Sequence, residues 1–170
     1  MPKIKQGFEK HFVTGVGLIT SRGRKYGYDV MSAEWTMQIS YNPPIIAVFI
    51  NPKDVTHANI LETKVFGVNM VADDMPAISH LCGSVSRRDY DKLADKHFKG
   101  RLYKAKTINV KMIKDCTINA ECRLIFHKKF GSHTMFVGRV LAAKFDKNKE
   151  PIAYHGRKYF YVVKQVPRQD

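Results

Sequence analysis

The longest unbroken apolar run in this chain is six residues, Ile45 to Ile50, far short of the ~20 that a membrane-spanning helix needs. The N-terminal Met-Pro-Lys-Ile-Lys-Gln is basic but has no apolar stretch behind it, so no signal peptide is expected. Cysteine is scarce. Cys82, Cys116 and Cys122 are an odd number without a Cys-x-x-Cys spacing, which argues against a disulfide framework or a zinc site and for a reducing cytoplasm. The seven histidines contain no His-x-His or His-x-x-x-His pair, so no metal is expected, and no Gly-x-Ser-x-Gly nucleophile signature is present. Repeats and low-complexity tracts are absent too.

Acidic residues are the other shortage, 15 against 29 lysines and arginines, for a net charge of +14. One partner that such a charge suggests is nucleic acid, bound through counterion release. The basic residues are scattered along the whole chain, however, and lack the interleaved aromatics of a single-strand-binding face. A solvated surface that attracts anionic small molecules is the better reading. With 170 residues, 44% of them hydrophobic, the chain is expected to form a single domain over residues 1–170 with a real core.

The stretch from Val30 to Asn69 organises the rest. Trp35 to Ser40 alternates large and polar residues, as a half-buried strand does. Asn42-Pro43-Pro44 stops the ladder, and the β-branched run Ile45 to Ile50 suits a strand buried on both faces. Asn51-Pro52-Lys53-Asp54 breaks that strand, and Val55 to Lys64 has helical spacing. A basic turn before a helix start is a place to hold a phosphate, because free N–H groups and the dipole both point outward.

Around this unit, Phe12 to Thr20 and Tyr26 to Met31 read as a hairpin across Ser21-Arg22-Gly23-Arg24. Gly15-Val16-Gly17 lacks the third glycine of a dinucleotide loop and reads as strand glycines approached closely by another backbone. Val65 to Val71 is a strand, and Asp73-Asp74 opens a helix that ends near Cys82-Gly83. Tyr90 to His97 is expected to be a short amphipathic helix, and Lys96 to Lys114 a charged connection with one short strand. Cys116 to His127 alternates, with apolar residues on one face and Thr, Asn, Glu and Arg opposite. Thr134 to Phe145 and Tyr159 to Val166 are the last strands. Six or more strands without regular strand–helix alternation point to a mainly β fold of Greek-key or split-barrel type with short inserted α-helices.

Three segments carry a family resemblance. Val30-Met31-Ser32-Ala33 with Ser40-x-x-Pro43-Pro44, then Ser86-Arg87-Arg88-Asp89-Tyr90-Asp91-Lys92, then Gly131-Ser132-His133-Thr134-Met135-Phe136-Val137-Gly138 come in the order seen in the flavin reductase-like FMN-binding split-barrel proteins. The second and third segments resemble the flavoredoxin-like branch. The resemblance implies an FMN-binding split barrel that assembles as a homodimer. It implies a hydride-accepting flavoprotein with NADH or NADPH as co-substrate, the nicotinamide folding over the flavin without a domain of its own. The acceptor would be free flavin, a ferric chelate or a protein. An electron-transfer protein without NAD(P)H activity, of flavoredoxin type, is the nearest alternative, and a non-enzymatic basic barrel that binds nucleic acid is the alternative from another class.

FMN asks for an anion site, backbone donors and acceptors for its pyrimidine edge, and an apolar wall. Trp35, Thr36, Met37 and Gln38 are candidates for backbone groups and wall. Asn51, Lys53 and Thr56 are candidates for the phosphate. Ser84, Ser86, Arg88 and Lys92 form a second anion-binding set, which the resemblance also places at the flavin. His133 is the candidate catalytic residue: the resemblance places it beside the flavin, where the nicotinamide stacks. Glu34 departs from the family, many members of which carry a small residue there. A carboxylate is repelled by phosphate, so Glu34 is expected to point away.

Overall fold

The computed structural model describes residues 4–162 and 164–167. Its strands are β1 (Val13–Thr14), β2 (Gly17–Gly23), β3 (Gly27–Ala33), β4 (Thr36–Ser40), β5 (Ile45–Ile50), β6 (Val65–Met70), β7 (Leu102–Lys104), β8 (Lys111–Ile113), β9 (Ile118–Phe130), β10 (His133–Phe145), β11 (Ile152–His155) and β12 (Lys158–Tyr161). Two helices, α1 (Val55–Thr63) and α2 (Pro76–Ser84), flank β6.

Seven strands form one antiparallel sheet in the order β3-β2-β6-β9-β10-β5-β4. Its two edge strands, β3 and β4, are consecutive in the chain, with only Glu34 and Trp35 between them. The sheet therefore curls back on itself as a barrel. The seam is tight: Thr36 Oγ1 donates to the Ala33 carbonyl at 3.0 Å, and a Cβ on Gly17 would stand 2.8 Å from Thr36 Oγ1. Gly17 is a strand glycine as its setting in the sequence suggests, but what crowds it is the Thr36 side chain and not another backbone, and Gly15 lies between β1 and β2 with the Met70 side chain against it. At the other end of the β2–β3 hairpin, Gly27 takes φ +66°, a conformation that a side chain resists.

β2 is buried on both faces, and its apolar run follows from that. Ile19 joins Val48, Ile50, Phe66, Cys122 and Phe136 in one cluster, while the neighbouring Leu18 joins Val30, Ile78, Phe98 and Ile113 in a second one against α2. Side chains alternate along a strand, so two clusters on opposite faces need apolar residues in a row. A small sheet β1-β11-β12 packs at the α2 side, where Tyr159 OH donates to Ser79 Oγ at 3.0 Å. No helix among the described residues is long and apolar enough to cross a membrane.

Several local expectations are corrected. Asp73 and Asp74 do not cap α2: Met75 holds the cap position, and the Asp74 carboxylate accepts from Lys149 Nζ at 2.6 Å instead. Tyr90 to His97 folds as two 3-10 turns, Lys92–Ala94 and Lys96–Phe98, because Asp95 accepts from the His97 amide at 2.9 Å and interrupts the helix. The charged connection carries two short strands, β7 and β8, paired as a hairpin. Asn119 and Glu121, on the polar face of β9, are buried. Glu121 accepts from the amides of Lys106 and Thr107, at 2.9 and 2.6 Å, so the connecting loop covers that face. The closing strand stops at Tyr161, and residue 163 of the expected longer strand lies outside the described residues.

Candidate functional site

Five pieces of chain meet around a cavity of about 410 Å3, within the ~300–1,000 Å3 usual for cofactor sites. β3 contributes Asp29, Met31, Ser32 and Ala33, and the two-residue seam adds Glu34 and Trp35. The end of β5 and the turn into α1 add Phe49, Asn51, Asp54 and Val55. The end of α2 and its following loop add Cys82 to Arg87, with Lys92 further on, and His133 stands at the start of β10. The sequence brings them together because β3 and β5 end at this mouth and β10 begins there.

One wall is aromatic. The Trp35 ring lies 4.7 Å from the His133 ring and 6.1 Å, edge-on, from Phe49. The Phe49 amide donates to the Trp35 carbonyl at 3.0 Å, which pins the seam to β5. His133 Nδ1 and Ser132 Oγ are 2.8 Å apart, so the hydroxyl orients the imidazole and leaves Nε2 as the atom for a ligand.

Opposite lies the loop after α2. Arg87 Nε donates to the Tyr28 carbonyl at 3.1 Å and Nη2 to Asp91 at 3.1 Å, so its guanidinium is held at the rim. Ser86 Oγ accepts from the Arg88 amide at 3.2 Å, and Ser84 Oγ donates to the His80 carbonyl at 2.7 Å. The Asn51 side chain accepts from the Lys53 amide at 3.0 Å and fixes the turn into α1.

The floor is charged. Asp29 and Lys92 are each only 2% exposed, and Lys92 Nζ stands 3.2 Å from Asp29 Oδ1. Thr56, on α1, donates to Asp29 Oδ2 at 2.8 Å. Burial also pushes the Asp54 carboxyl above its ordinary range, against a backbone hydrogen bond that draws it down. Burial drives the Cys82 thiol up to about 12, so it stays protonated and is no nucleophile.

Of the residues singled out in the sequence, Trp35, Asn51, Ser84, Ser86, Lys92 and His133 line this cavity. The other six stand apart from it. Thr36, Met37 and Gln38 line a separate apolar groove of about 230 Å3 with Ile46, Val68, Ile118 and Val140, because β4 leaves the mouth immediately after Trp35. Thr56 is fully enclosed with its hydroxyl given to Asp29, so it supports the floor from behind. The Arg88 guanidinium donates to the Lys53 carbonyl at 2.6 Å and lies 5.8 Å from the Tyr26 ring. Lys53 and Arg88 thus tie two loops together outside the cavity. Glu34 does line the cavity, contrary to expectation, and also lines two neighbouring depressions.

Asp29, Phe49, Asp54 and Arg87 were not foreseen. Two of them left a signal. Asp29 is a lone carboxylate in a strand that runs on into Val30 and Met31, and Arg87 stands beside Arg88 in the quoted segment. Phe49 had none, since it hides in the six-residue apolar run.

Comparison with known proteins agrees with this fold. Two archaeal relatives, from Archaeoglobus fulgidus and Pyrococcus abyssi, are 30% and 32% identical over 113 and 114 residues. Those stretches cover 66% and 67% of this chain but only 63% and 64% of theirs. A ferric-chelate reductase (NAD(P)H) of Archaeoglobus fulgidus is 27% identical over 144 residues, 82% of this chain and 80% of that one. The solved structure of an FMN-binding protein from Thermus thermophilus superposes with a TM-score of 0.86 at 22% identity, covering 99% of this chain and 97% of that one. A family model described as flavin reductase like domain matches residues 9–162, and the chain belongs to that family.

Proposed function

We propose that the chain is an FMN-binding flavoprotein oxidoreductase, one flavin reductase-like domain, that accepts hydride from NADH or NADPH. It passes the electrons to free flavin, a ferric chelate or a protein acceptor. One observation carries the reading: a single cavity faces an aromatic wall, Trp35, Phe49 and His133, with a hydroxyl- and guanidinium-bearing loop, Ser84, Ser86 and Arg87. The residues present fit FMN in kind. The wall suits the rings, Arg87 with the serine hydroxyls suits the phosphate, and Asp29 Oδ1 is a buried acceptor that no described residue satisfies with a hydrogen bond.

FMN supplies, when bound, a ring system that takes two electrons as hydride and returns them singly or together. The protein's part is to bind and orient. Trp35 and Phe49 exclude water from the ring face, and the rim loop holds the charged end. His133, oriented by Ser132, offers Nε2 to the carboxamide of a nicotinamide or to charge on the reduced ring. A second copy of the chain as partner and a cytoplasmic location belong to the same reading.

The purified protein should be yellow, or turn so with FMN, and should quench flavin fluorescence. Anaerobic NADH or NADPH should then bleach the flavin bands. A colourless protein that ignores FMN and binds oligonucleotides with a steep salt slope would overturn the proposal.

A further inference from the structure

We infer that a second cavity, beside the first, binds an electron acceptor, and that the acceptor it fits is an uncharged quinone. This rests on the flavin reading above, which supplies the electrons. The second cavity has a volume of about 530 Å3, against about 410 Å3 for the first. It lies between α2 and the small sheet, and the two cavities share Ser32, Glu34, Gly83 and Ser84 as a common wall. A ligand in one is therefore a single layer of residues away from a ligand in the other. Two tyrosines form an aromatic corner: the rings of Tyr154 and Tyr159 are 5.1 Å apart and inclined at 57°. The corner is held in place, because Tyr159 OH donates to Ser79 Oγ, which stands 3.0 Å from Ser32 Oγ on the shared wall.

The polar groups that remain unengaged define the ligand. The Tyr154 hydroxyl, the Arg157 guanidinium and the Glu34 carboxylate line the cavity, and none has a hydrogen-bond or ion-pair partner among the described residues. Burial lifts the Tyr154 hydroxyl above its ordinary range and Glu34 adds to this, against Arg157, so it stays protonated and free to donate. Arg157 stands in the two-residue turn between β11 and β12 at φ +65°, where glycine or asparagine is usual. Backbone ease therefore does not account for an arginine there. A polyanion gains little in this cavity: Glu34 offsets Arg157, and His80 is the remaining titratable group apart from the tyrosines. That disfavours a carboxylate-bound ferric chelate or a phosphate-bearing flavin. A neutral planar ring packs into the tyrosine corner, and its carbonyl oxygen accepts from Tyr154 and Arg157. A quinone is such a ring and also an oxidant. It takes two electrons and two protons from the reduced flavin, reoxidises it, and leaves as the hydroquinone, whose hydroxyl donates to Glu34.

Two probes test this: chromone, a neutral planar carbonyl compound that is not a quinone, for binding, and menadione, a neutral naphthoquinone, for turnover. Calorimetry on the FMN-loaded protein should show one chromone site that neither NADH nor NADPH displaces. Tyr154→Phe should weaken chromone about ten-fold and raise the KM for menadione alike, and so should Arg157→Asn, which suits the backbone of the turn. In both variants FMN affinity, anaerobic flavin reduction by the nicotinamide and the KM for ferric citrate should be unchanged. Displacement of chromone by FMN or the nicotinamide would make the cavity part of the site already described and overturn the inference. Unchanged chromone binding in both variants would overturn it too, as would an equal loss of FMN. A wild type that binds FMN but no chromone overturns this inference alone. One that binds chromone but no FMN defeats the flavin reading, and the acceptor role with it.

Discussion

His133 takes its orientation from a neighbour and its setting from Trp35. With Nδ1 engaged by Ser132, the half-buried ring presents Nε2 beside an indole 4.7 Å away. Such a histidine adds little to packing, so His133→Ala should preserve the melting temperature and, with Trp35 and Phe49 still in the wall, most of the FMN affinity. It should slow flavin reduction by NADH or NADPH about ten-fold or more in stopped flow, the size of effect that a positioned hydrogen-bonding or acid–base group supplies. Reduction by dithionite needs no nicotinamide and should be unaffected. An unchanged hydride-transfer rate, or a plain loss of stability, would return His133 to a structural role. The same scale shows why single residues were unevenly legible. His133 announced itself through Gly131-Ser132-His133-Thr134, whereas Thr56, a hydroxyl in a basic turn, looked identical in sequence whether it faced a ligand or, as it does, the back of Asp29.

At the level of elements, the segment between α2 and β7 has the least regular structure near the site, and one side chain organises it. Asp95 accepts from the His97 amide at 2.9 Å, from Tyr90 OH at 2.7 Å and from His97 Nδ1 at 2.6 Å. Those hydrogen bonds, the backbone one foremost, hold its carboxyl down at about 2, below the ordinary 3.8. A depressed carboxyl stabilises the fold above its unfolded value and stops doing so as pH falls towards the folded one. Asp95→Ala should therefore lower the melting temperature at pH 7 by roughly 2–4 °C, and the difference should shrink between pH 3.8 and about 2. The variant should also weaken flavin binding, because Lys92 sits in the first turn of this segment. A pH-independent difference would mean that Asp95 acts through packing and not through its charge. Elements with strong local signals, such as β5 or the β2–β3 hairpin, could be read from the sequence because periodicity and glycine placement fixed them. The burial of Glu121 could not, since it depends on a contact with a separate stretch of chain at Thr107, and the 3-10 turns could not, since one Asp95 side chain and no periodic pattern interrupts the helix.

At the scale of the whole molecule, +14 of net charge and a cavity with three carboxylates against two cations mean that the excess lies outside the site. Such a surface draws anionic substrates inward without holding them, so association rates should fall with salt while bound affinity changes less. Apolar surface is distributed unevenly as well. β4 ends the seven-stranded order, and Met37, Ile39 and Tyr41 on or beside it are 51%, 49% and 89% exposed. Met37 also lines the apolar groove of about 230 Å3 shared with Ile46, Ile118 and Val140. An exposed edge strand of this composition invites pairing with another chain, and a symmetric second copy closes both edges at once. Light scattering should accordingly give twice the monomer mass. Ile39→Lys, which puts a charge on that edge, should shift the mass towards the monomer while the circular dichroism stays native. Trp35 adjoins β4 and is 39% exposed, so the partner would also shield the open side of the cavity, and the monomeric variant should bind FMN more weakly. A monomer mass for the flavin-loaded wild type would show that the edge is tolerated unpaired and that the cavity is complete within one chain.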